Sequence, residues 1–300
     1  MMQKLNVNLW MQGTGDEAGE FYAQALPGGS MEVESRYPTE GLLEFQKPLA
    51  GKALTVTVRV RDQRFTLINA GPDFTPNPSI SLMLNFDPLD YGGSIDAARA
   101  ELDRTWEKLS LGGQVLMELG EYPYSSRYGW VQDKYNVSWQ LILTDQEGDP
   151  RPFMMPSLLF GGAAQNRAAE AIEYYNQVFG AREGMLVTYP EPTGPATTDS
   201  VMFADFALGD DWVTAMDSGV PQDFTFNPGV SLEWPCEGQA ELDRVWDVLS
   251  AVPEAEQCGW LTDKFGVSWQ IVPSNLAELM LRPNAFENLL AMKKLVIDEF

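Results

Sequence analysis

Four segments recur in the same order in the two halves of this 300-residue chain, and any fold has to accommodate that duplication first. Phe74-Thr-Pro-Asn-Pro-Ser-Ile-Ser-Leu82 returns as Phe224-Thr-Phe-Asn-Pro-Gly-Val-Ser-Leu232. Ala100-Glu-Leu-Asp-Arg-Thr-Trp-Glu-Lys-Leu-Ser110 returns as Ala240-Glu-Leu-Asp-Arg-Val-Trp-Asp-Val-Leu-Ser250. Gly129-Trp-Val-Gln-Asp-Lys-Tyr-Asn-Val-Ser-Trp-Gln-Leu-Ile142 returns as Gly259-Trp-Leu-Thr-Asp-Lys-Phe-Gly-Val-Ser-Trp-Gln-Ile-Val272, and more loosely Phe21-Tyr22 matches Tyr174-Tyr175. Between the copies lies Asp145-Gln-Glu-Gly-Asp-Pro-Arg-Pro152, whose prolines and glycine disfavour a continuous helix or strand. Residues 1–148 and 153–273 are therefore expected to be homologous domains of normal size, followed by an extension at 274–300 that only the second copy carries.

Each copy alternates strand and helix signals. Leu5 to Met11 reads as a strand, and Thr14 with Glu17 three residues on has capping-box spacing. The helix behind it places Ala18, Phe21, Tyr22, Ala25 and Leu26 on one face, and Gly28-Gly29 ends it. Strands follow at 31–37, Leu54 to Val60 and Phe65 to Asn69, the last two joined by the polar run Arg61 to Arg64. The same plan restarts at Ile80, with Leu102, Trp106 and Leu109 on its helix, and ends in a hairpin through Asp133-Lys-Tyr-Asn136. Each half is thus a pair of βαβββ units, an α+β arrangement that residues 157–272 repeat. In the extension, Asn284 and Glu287 repeat the capping-box spacing and predict a helix over 284–300, with Phe286, Leu289, Leu290, Val296 and Ile297 on its apolar face. This helix is expected to dock on its own chain, with self-association or partner binding as the alternative.

Composition narrows the function. Twenty Lys+Arg against 43 Asp+Glu leave a formal charge of −23, which repels phosphate and excludes nucleic acid as an expected partner. No histidine is present, which removes the usual general base near neutral pH, the imidazole that activates serine and cysteine nucleophiles, and the commonest transition-metal ligand. The two cysteines, Cys236 and Cys258, are too few for a disulfide scaffold in so long a chain and are expected to be reduced thiols. No run approaches the ~20 apolar residues of a membrane helix, and the start lacks a basic region followed by an apolar one, so no membrane partner and a cytoplasmic location are expected.

The paired βαβββ units, the helix ending in Phe-Tyr or Tyr-Tyr, Phe-Asn-Pro before a Ser-Leu strand, Gly-Trp-x-x-Asp-Lys-x-x-Val-Ser-Trp-Gln, and the late Met292-Lys293-Lys294 together resemble the PhnB-like branch of the vicinal oxygen chelate superfamily. That superfamily includes glyoxalase I, ring-cleaving dioxygenases and bleomycin-resistance proteins. The resemblance covers almost the whole chain, is closest over 224–300, and identifies a fold rather than a reaction. It implies tandem glyoxalase/bleomycin-resistance-like domains arranged as a pseudo-dimer, each curling into an open cup of eight strands. Where such cups hold a metal, four inward side chains bind it, usually His with Glu or Gln, and aligning the last ligand on this chain places Gln140 and Gln270 there. The first-strand ligand falls near Asn6 or Asn8 in the first half and within Met154 to Leu158 in the second. Carboxamides are neutral, weak ligands, so the expectation is no metal and no cofactor. Relatives are often labelled 3-demethylubiquinone methyltransferases. That chemistry needs a nucleotide-cofactor site, whereas Gly28-Gly29, Gly92-Gly93, Gly112-Gly113 and Gly161-Gly162 read as isolated pairs without the G-x-G-x-x-G spacing.

Other polar residues have a sharp and a bland reading. Glu118 and Glu233 interrupt apolar strands and are candidates to hold a hard cation, against the commoner role on the solvated side of an edge strand. Asp133-Lys134 and Asp263-Lys264 could form acid/base pairs, but a hairpin uses Asp to bond its own backbone and Lys for solubility, and the turn reading is preferred. Trp10, Trp139, Trp212 and Trp269 could stack on a planar ligand, although strand aromatics are more often core. Three functional classes follow. The first, and preferred, is metal-independent binding of a small organic ligand in a cup, as in resistance or sequestration, with Asn8, Asn85, Gln140, Glu233 and Gln270 as polar points. The others are a lyase, isomerase or dioxygenase with an atypical Gln/Glu metal site, and a duplicated scaffold.

Overall fold

The computed structural model describes residues 4–40, 42, 44–145, 147–180 and 182–300. The first half runs β1 (Asn6–Gln12), α1 (Gly15–Ala25), β2 (Ser30–Arg36), β3 (Ala53–Val60) and β4 (Gln63–Ala70), then β5 (Ile80–Phe86), α2 (Ile95–Ser110), β6 (Gln114–Tyr122), β7 (Ser125–Gln132) and β8 (Ser138–Leu143). The second half repeats this as β9 (Met154–Phe160), α3 (Ala168–Phe179), β10 (Arg182–Thr188), β11 (Val201–Leu208) and β12 (Asp211–Asp217), then β13 (Val230–Cys236), α4 (Gln239–Leu249), β14 (Trp260–Thr262) and β15 (Ser268–Pro273). The four units are the expected βαβββ except the last. There a 3-10 turn at Pro253–Ala255 stands where a third strand would follow the helix.

The strand order corrects the expectation that each half closes its own cup. One sheet runs β14-β15-β13-β1-β4-β3-β2 and the other β10-β11-β12-β9-β5-β8-β7-β6, so each contains one unit from either half. The seams are antiparallel: Asn6 faces Glu233 and Asn8 faces Ser231 across β1 and β13, while Met83 faces Met155 and Ser81 faces Ser157 across β5 and β9. The repeated Phe-Thr-x-Asn-Pro segments explain the crossing. After β4 and again after β12 they carry the chain from one sheet to the other, and they meet each other on the way. Asn77 Nδ2 donates to Thr225 O at 2.9 Å and Asn227 Nδ2 to Thr75 O at 3.1 Å, a reciprocal pair expected of two copies about a pseudo-twofold axis. Gly229 fits there because a Cβ would lie 2.4 Å from the Thr75 carbonyl.

Alternation along the strands gives each sheet one apolar face, and helices cover it. The covered faces meet in a single core, where Trp139 of β8 and Phe65 of β4 have ring centroids 5.8 Å apart. At its centre the Asp-Lys-x-x-Val-Ser-Trp motif forms the same device twice. Asp133 Oδ1 accepts from the N–H of Tyr135 and Val137, as a turn aspartate should, while Oδ2 accepts from Tyr22 Oη at 2.9 Å and Trp139 Nε1 at 2.8 Å. Asp263 binds Phe265, Val267, Tyr175 and Trp269 in the same way, at 2.7–3.0 Å. The turn reading therefore holds, but both carboxylates are also buried pegs that tie the first helix of a half to the last hairpin of that half. Hydrogen bonds to a buried charge stabilise by about 1.5–3 kcal/mol each, which accounts for the Tyr and the Trp that accompany the Asp.

Two capping expectations are corrected. Thr14 makes no side-chain cap; the Gly15 N–H at the start of α1 instead donates to Asn69 Oδ1 from the end of β4, and Ala168 of α3 donates likewise to Asp217 of β12. In the extension, a single helix over 284–300 gives way to α5 (Leu276–Leu279) and α6 (Ala285–Ala291), and Asn284 has left-handed φ with no cap bond. Beyond α6 the chain leaves helix and ends in a 3-10 turn at Ile297–Glu299. Cys258 N–H donates to Met292 O and Gly259 N–H to Lys293 O, both at 2.8 Å, so the tail lies along the edge of the first sheet beside the missing strand. Leu295 and Phe300 are buried, so the extension does dock on its own chain, while Phe286 and Leu290 remain partly exposed.

Candidate functional site

The outer face of each sheet, opposite the core, carries the polar residues. Many of them are nearly inaccessible, Asn8 at 2% and Gln140 at 1%, so the middle of each outer face, its cup, is shielded from solvent. Gln140 and Gln270 lie on this side, and Trp139 and Trp269, one residue earlier, lie beneath the helices, fully buried.

On the first sheet, Asn6, Asn8, Thr66, Ser231, Glu233, Ser268 and Gln270 line adjacent strands in register. Asn6 Nδ2 donates to Asn8 Oδ1 at 3.2 Å and to Thr66 Oγ1 at 2.9 Å; Asn8 Nδ2 donates to Glu233 Oε2 at 3.1 Å; Gln270 Nε2 donates to Ser231 Oγ at 3.0 Å. Three of the five sequence candidates, Asn8, Glu233 and Gln270, thus converge. Glu233 is corrected from an edge to a central position, because β13 lies between β1 and β15. Burial raises its pKa above the usual carboxylate range, partly offset by the Asn8 amide and the positive charge of Arg64. Glu118 is exposed on β6, an edge strand, as the bland reading has it. Two indoles border the polar floor: Trp10 of β1 and Trp260, which faces Gln270 across β14 and β15, stand edge to face with centroids 6.2 Å apart. A cleft of about 190 Å³ reaches Trp10 and Gln12 from the α1 side, past Thr14, Lys134 and Tyr135.

The second sheet has the same plan with different contents. Its Gln140 is held on both sides, accepting from Tyr128 Oη at 2.8 Å and donating to Ser157 Oγ at 3.2 Å. Met83 and Met155, both buried, fill the space beside it, and the Thr214 hydroxyl is buried without a partner. Arg151 of the inter-half linker closes over this face, with Nε 2.7 Å from Asp205 and its guanidinium 3.7 Å from the Trp212 ring centroid. Asn85 is separate from the others. Its Nδ2 donates to Pro152 O at 2.7 Å, and it lines a cleft of about 120 Å³ with Asp87, Asp145 and Arg151.

Neither cup fits a transition metal. On the first sheet Glu233 has the Glu34 carboxylate and the Arg64 cation near it among neutral amides and hydroxyls, and among the described residues no three Asp, Glu or Cys side chains gather as a ligand set. Such neutral oxygens lack the charge and softness that retain zinc, nickel or iron. A nucleotide cofactor fares no better, although Gly13-Thr14-Gly15, with Gly19, forms a glycine-rich turn that joins β1 to α1. These glycines serve packing. A Cβ on Gly15 would lie 2.8 Å from Asn69 and one on Gly19 2.9 Å from Met31 and Val56, and the Gly15 N–H that would receive a phosphate is already taken by Asn69. Thr66, Ser231 and Trp260 escaped the sequence reading, because only strand register across the two halves brings them to Glu233. Both cysteines are free, and burial pushes the Cys236 thiol up to about 12.

Comparison with known proteins accords with this geometry. The sequence profile described as 3-demethylubiquinone-9 3-methyltransferase matches residues 3–142 and again 152–272. A solved structure from Bacillus cereus, described as a putative 3-demethylubiquinone-9 3-methyltransferase, PhnB protein, is 31% identical; all of it aligns with 47% of this chain, at a TM-score of 0.40. A protein from Pseudomonas aeruginosa is 24% identical over 46% of this chain and 94% of its own, with a TM-score of 0.37. Glyoxalase I from Zea mays aligns with 92% of this chain and 96% of its own at 13% identity and a TM-score of 0.53, a likeness of fold across both halves. No curated protein sequence matches.

Proposed function

Because this chain belongs to the 3-demethylubiquinone-9 3-methyltransferase family within the vicinal oxygen chelate superfamily, we propose that it binds a small organic ligand without a metal, in the cup of the first sheet. The observation that carries this reading is Asn8 bonded to Glu233, with Gln270 facing Glu233 in register, beside the paired indoles of Trp10 and Trp260. Apolar walls with a few convergent polar groups are what an organic ligand requires. The family label names methyl transfer, and the glycine turn at α1 gives that chemistry no nucleotide site. Sequestration of a ligand in the cytoplasm is the form of this reading we favour, with Cys236 and Cys258 free of each other. No helix among the described residues is long and apolar enough to cross a membrane.

Native mass spectrometry of protein purified without a histidine tag tests the reading. The expected result is an organic adduct released on denaturation, with transition metal far below one per chain. Near one zinc, nickel or iron per chain, lost on Gln270→Ala, would overturn it.

A further inference from the structure

On the reading that the first sheet binds an organic ligand, we infer that the ligand is a cation, presenting an ammonium, amidinium or guanidinium group on a flat or apolar body. The inference comes from counting which polar atoms of the floor already have partners. Asn6 is 3% exposed, and both hydrogens of its amide are used, on Asn8 and Thr66, while its Oδ1 is buried with no partner. Glu233 accepts from Asn8 through Oε2, and the Asn6 amide opposite it also favours its charged form by hydrogen bonding. The Nε2 of Gln270 is engaged by Ser231, and its Oε1 accepts no hydrogen bond from those residues. Asn6 Oδ1, buried without a partner, and Gln270 Oε1 therefore await donors beside the Glu233 carboxylate. A buried acceptor left unmade costs about 1–3 kcal/mol, so a ligand that supplies several N–H groups gains from each.

Charge and aromatic geometry point the same way. Arg64 on β4 lowers the pKa of Glu233 by its charge, whereas the carboxylate of Glu34 on β2 raises it, so the floor has no excess of positive charge to receive an anion. An N–H cation at Glu233 would form a charge-assisted hydrogen bond, stronger than a neutral alcohol makes. Trp10 and Trp260, half-buried at the border of the floor, offer indole faces and edges to the body of the ligand and to its charge. The equivalent positions on the second sheet, Met83 and Met155, offer nothing to a cation.

Benzylamine, benzyl alcohol and benzoate share one body and differ in charge, and tryptophan fluorescence can follow their titration into the full chain. The expected order is benzylamine saturable, benzyl alcohol about tenfold weaker or more, and benzoate without effect. Glu233→Gln should weaken benzylamine about tenfold and leave benzyl alcohol nearly unchanged, Glu233→Asp should keep the preference, and Glu118→Gln should behave as the unaltered protein. The Asp variant answers the objection that Glu233→Gln perturbs the fold. Benzoate or benzyl alcohol binding as tightly as benzylamine, with binding lost on Trp10→Ala, would overturn the cation while leaving the cup as a binding site. Benzylamine binding that ignores Glu233→Gln, or no saturable binding by any of the three, would also overturn it.

Discussion

Where the first sheet places Asn6 and Glu233 across its seam, the second places Met155 and Met83, although the strands around them pair in the same register. Gln270 faces Glu233 in one and Gln140 faces Met83 in the other. The divergence continues outward, since Tyr128 and Arg151 occupy the second face, and the buried polar atom without a partner is the Asn6 amide oxygen on the first but the Thr214 hydroxyl on the second. The core devices have not diverged: Tyr22, Asp133 and Trp139 match Tyr175, Asp263 and Trp269 bond for bond. Duplication kept what holds the units together and let the two outer faces diverge.

The strongest way to break this comparison is to remove the shared pegs. Asp133→Ala and Asp263→Ala each strand a tyrosine hydroxyl, an indole N–H and two backbone N–H groups, and each should cost about 3 kcal/mol or more in denaturant unfolding. A cost confined to one of them would mean the halves are not equivalent.

Exchange between the cups comes next. Met83→Glu buries a carboxylate with no donor prepared for it and should destabilise by about 2–4 kcal/mol, whereas Glu233→Met should change stability by no more than about 1 kcal/mol, both read from unfolding midpoints. Equal costs would show that the first cup is built for its carboxylate as tightly as the second is for its methionines.

Smaller effects sharpen the picture of the pegs. Tyr22→Phe and Tyr175→Phe remove one donor from a buried carboxylate and should each cost about 1–2 kcal/mol. Burial pushes Asp133 up to about 6 from 3.8, against the pull of Trp139, Tyr22 and two backbone N–H groups. The folded state therefore holds this proton more tightly than the unfolded chain, and the stability it contributes is complete below about pH 4 and lost as pH rises through about 6. Thermal midpoints should show a fall over that window that is shallower in Asp133→Asn.

Much of this was legible in the sequence, and the misses share a cause. The repeats, the units, the helix-facing Trp139 and Trp269 and the turn role of Asp133 follow from local periodicity and turn chemistry. Strand partners do not. Nothing in the sequence near Asn8 says that β13, more than two hundred residues later, will lie beside it, so Glu233 reads as an edge residue and Thr66 as an ordinary strand threonine. For the same reason Thr14 reads as a cap when Asn69, from a strand four elements on, does the capping. Asn85 and Gln140 have the right chemistry, yet one is engaged by the linker and the other by a tyrosine.

The central claim is that one cup of the two binds, and binding stoichiometry tests it most directly. Isothermal titration with the organic molecule that co-purifies, or with benzylamine, should give one site per chain in the unaltered protein and none in Glu233→Met, which makes the first cup resemble the second. Two sites per chain, or one site that survives Glu233→Met and disappears on Met83→Ala, would contradict it.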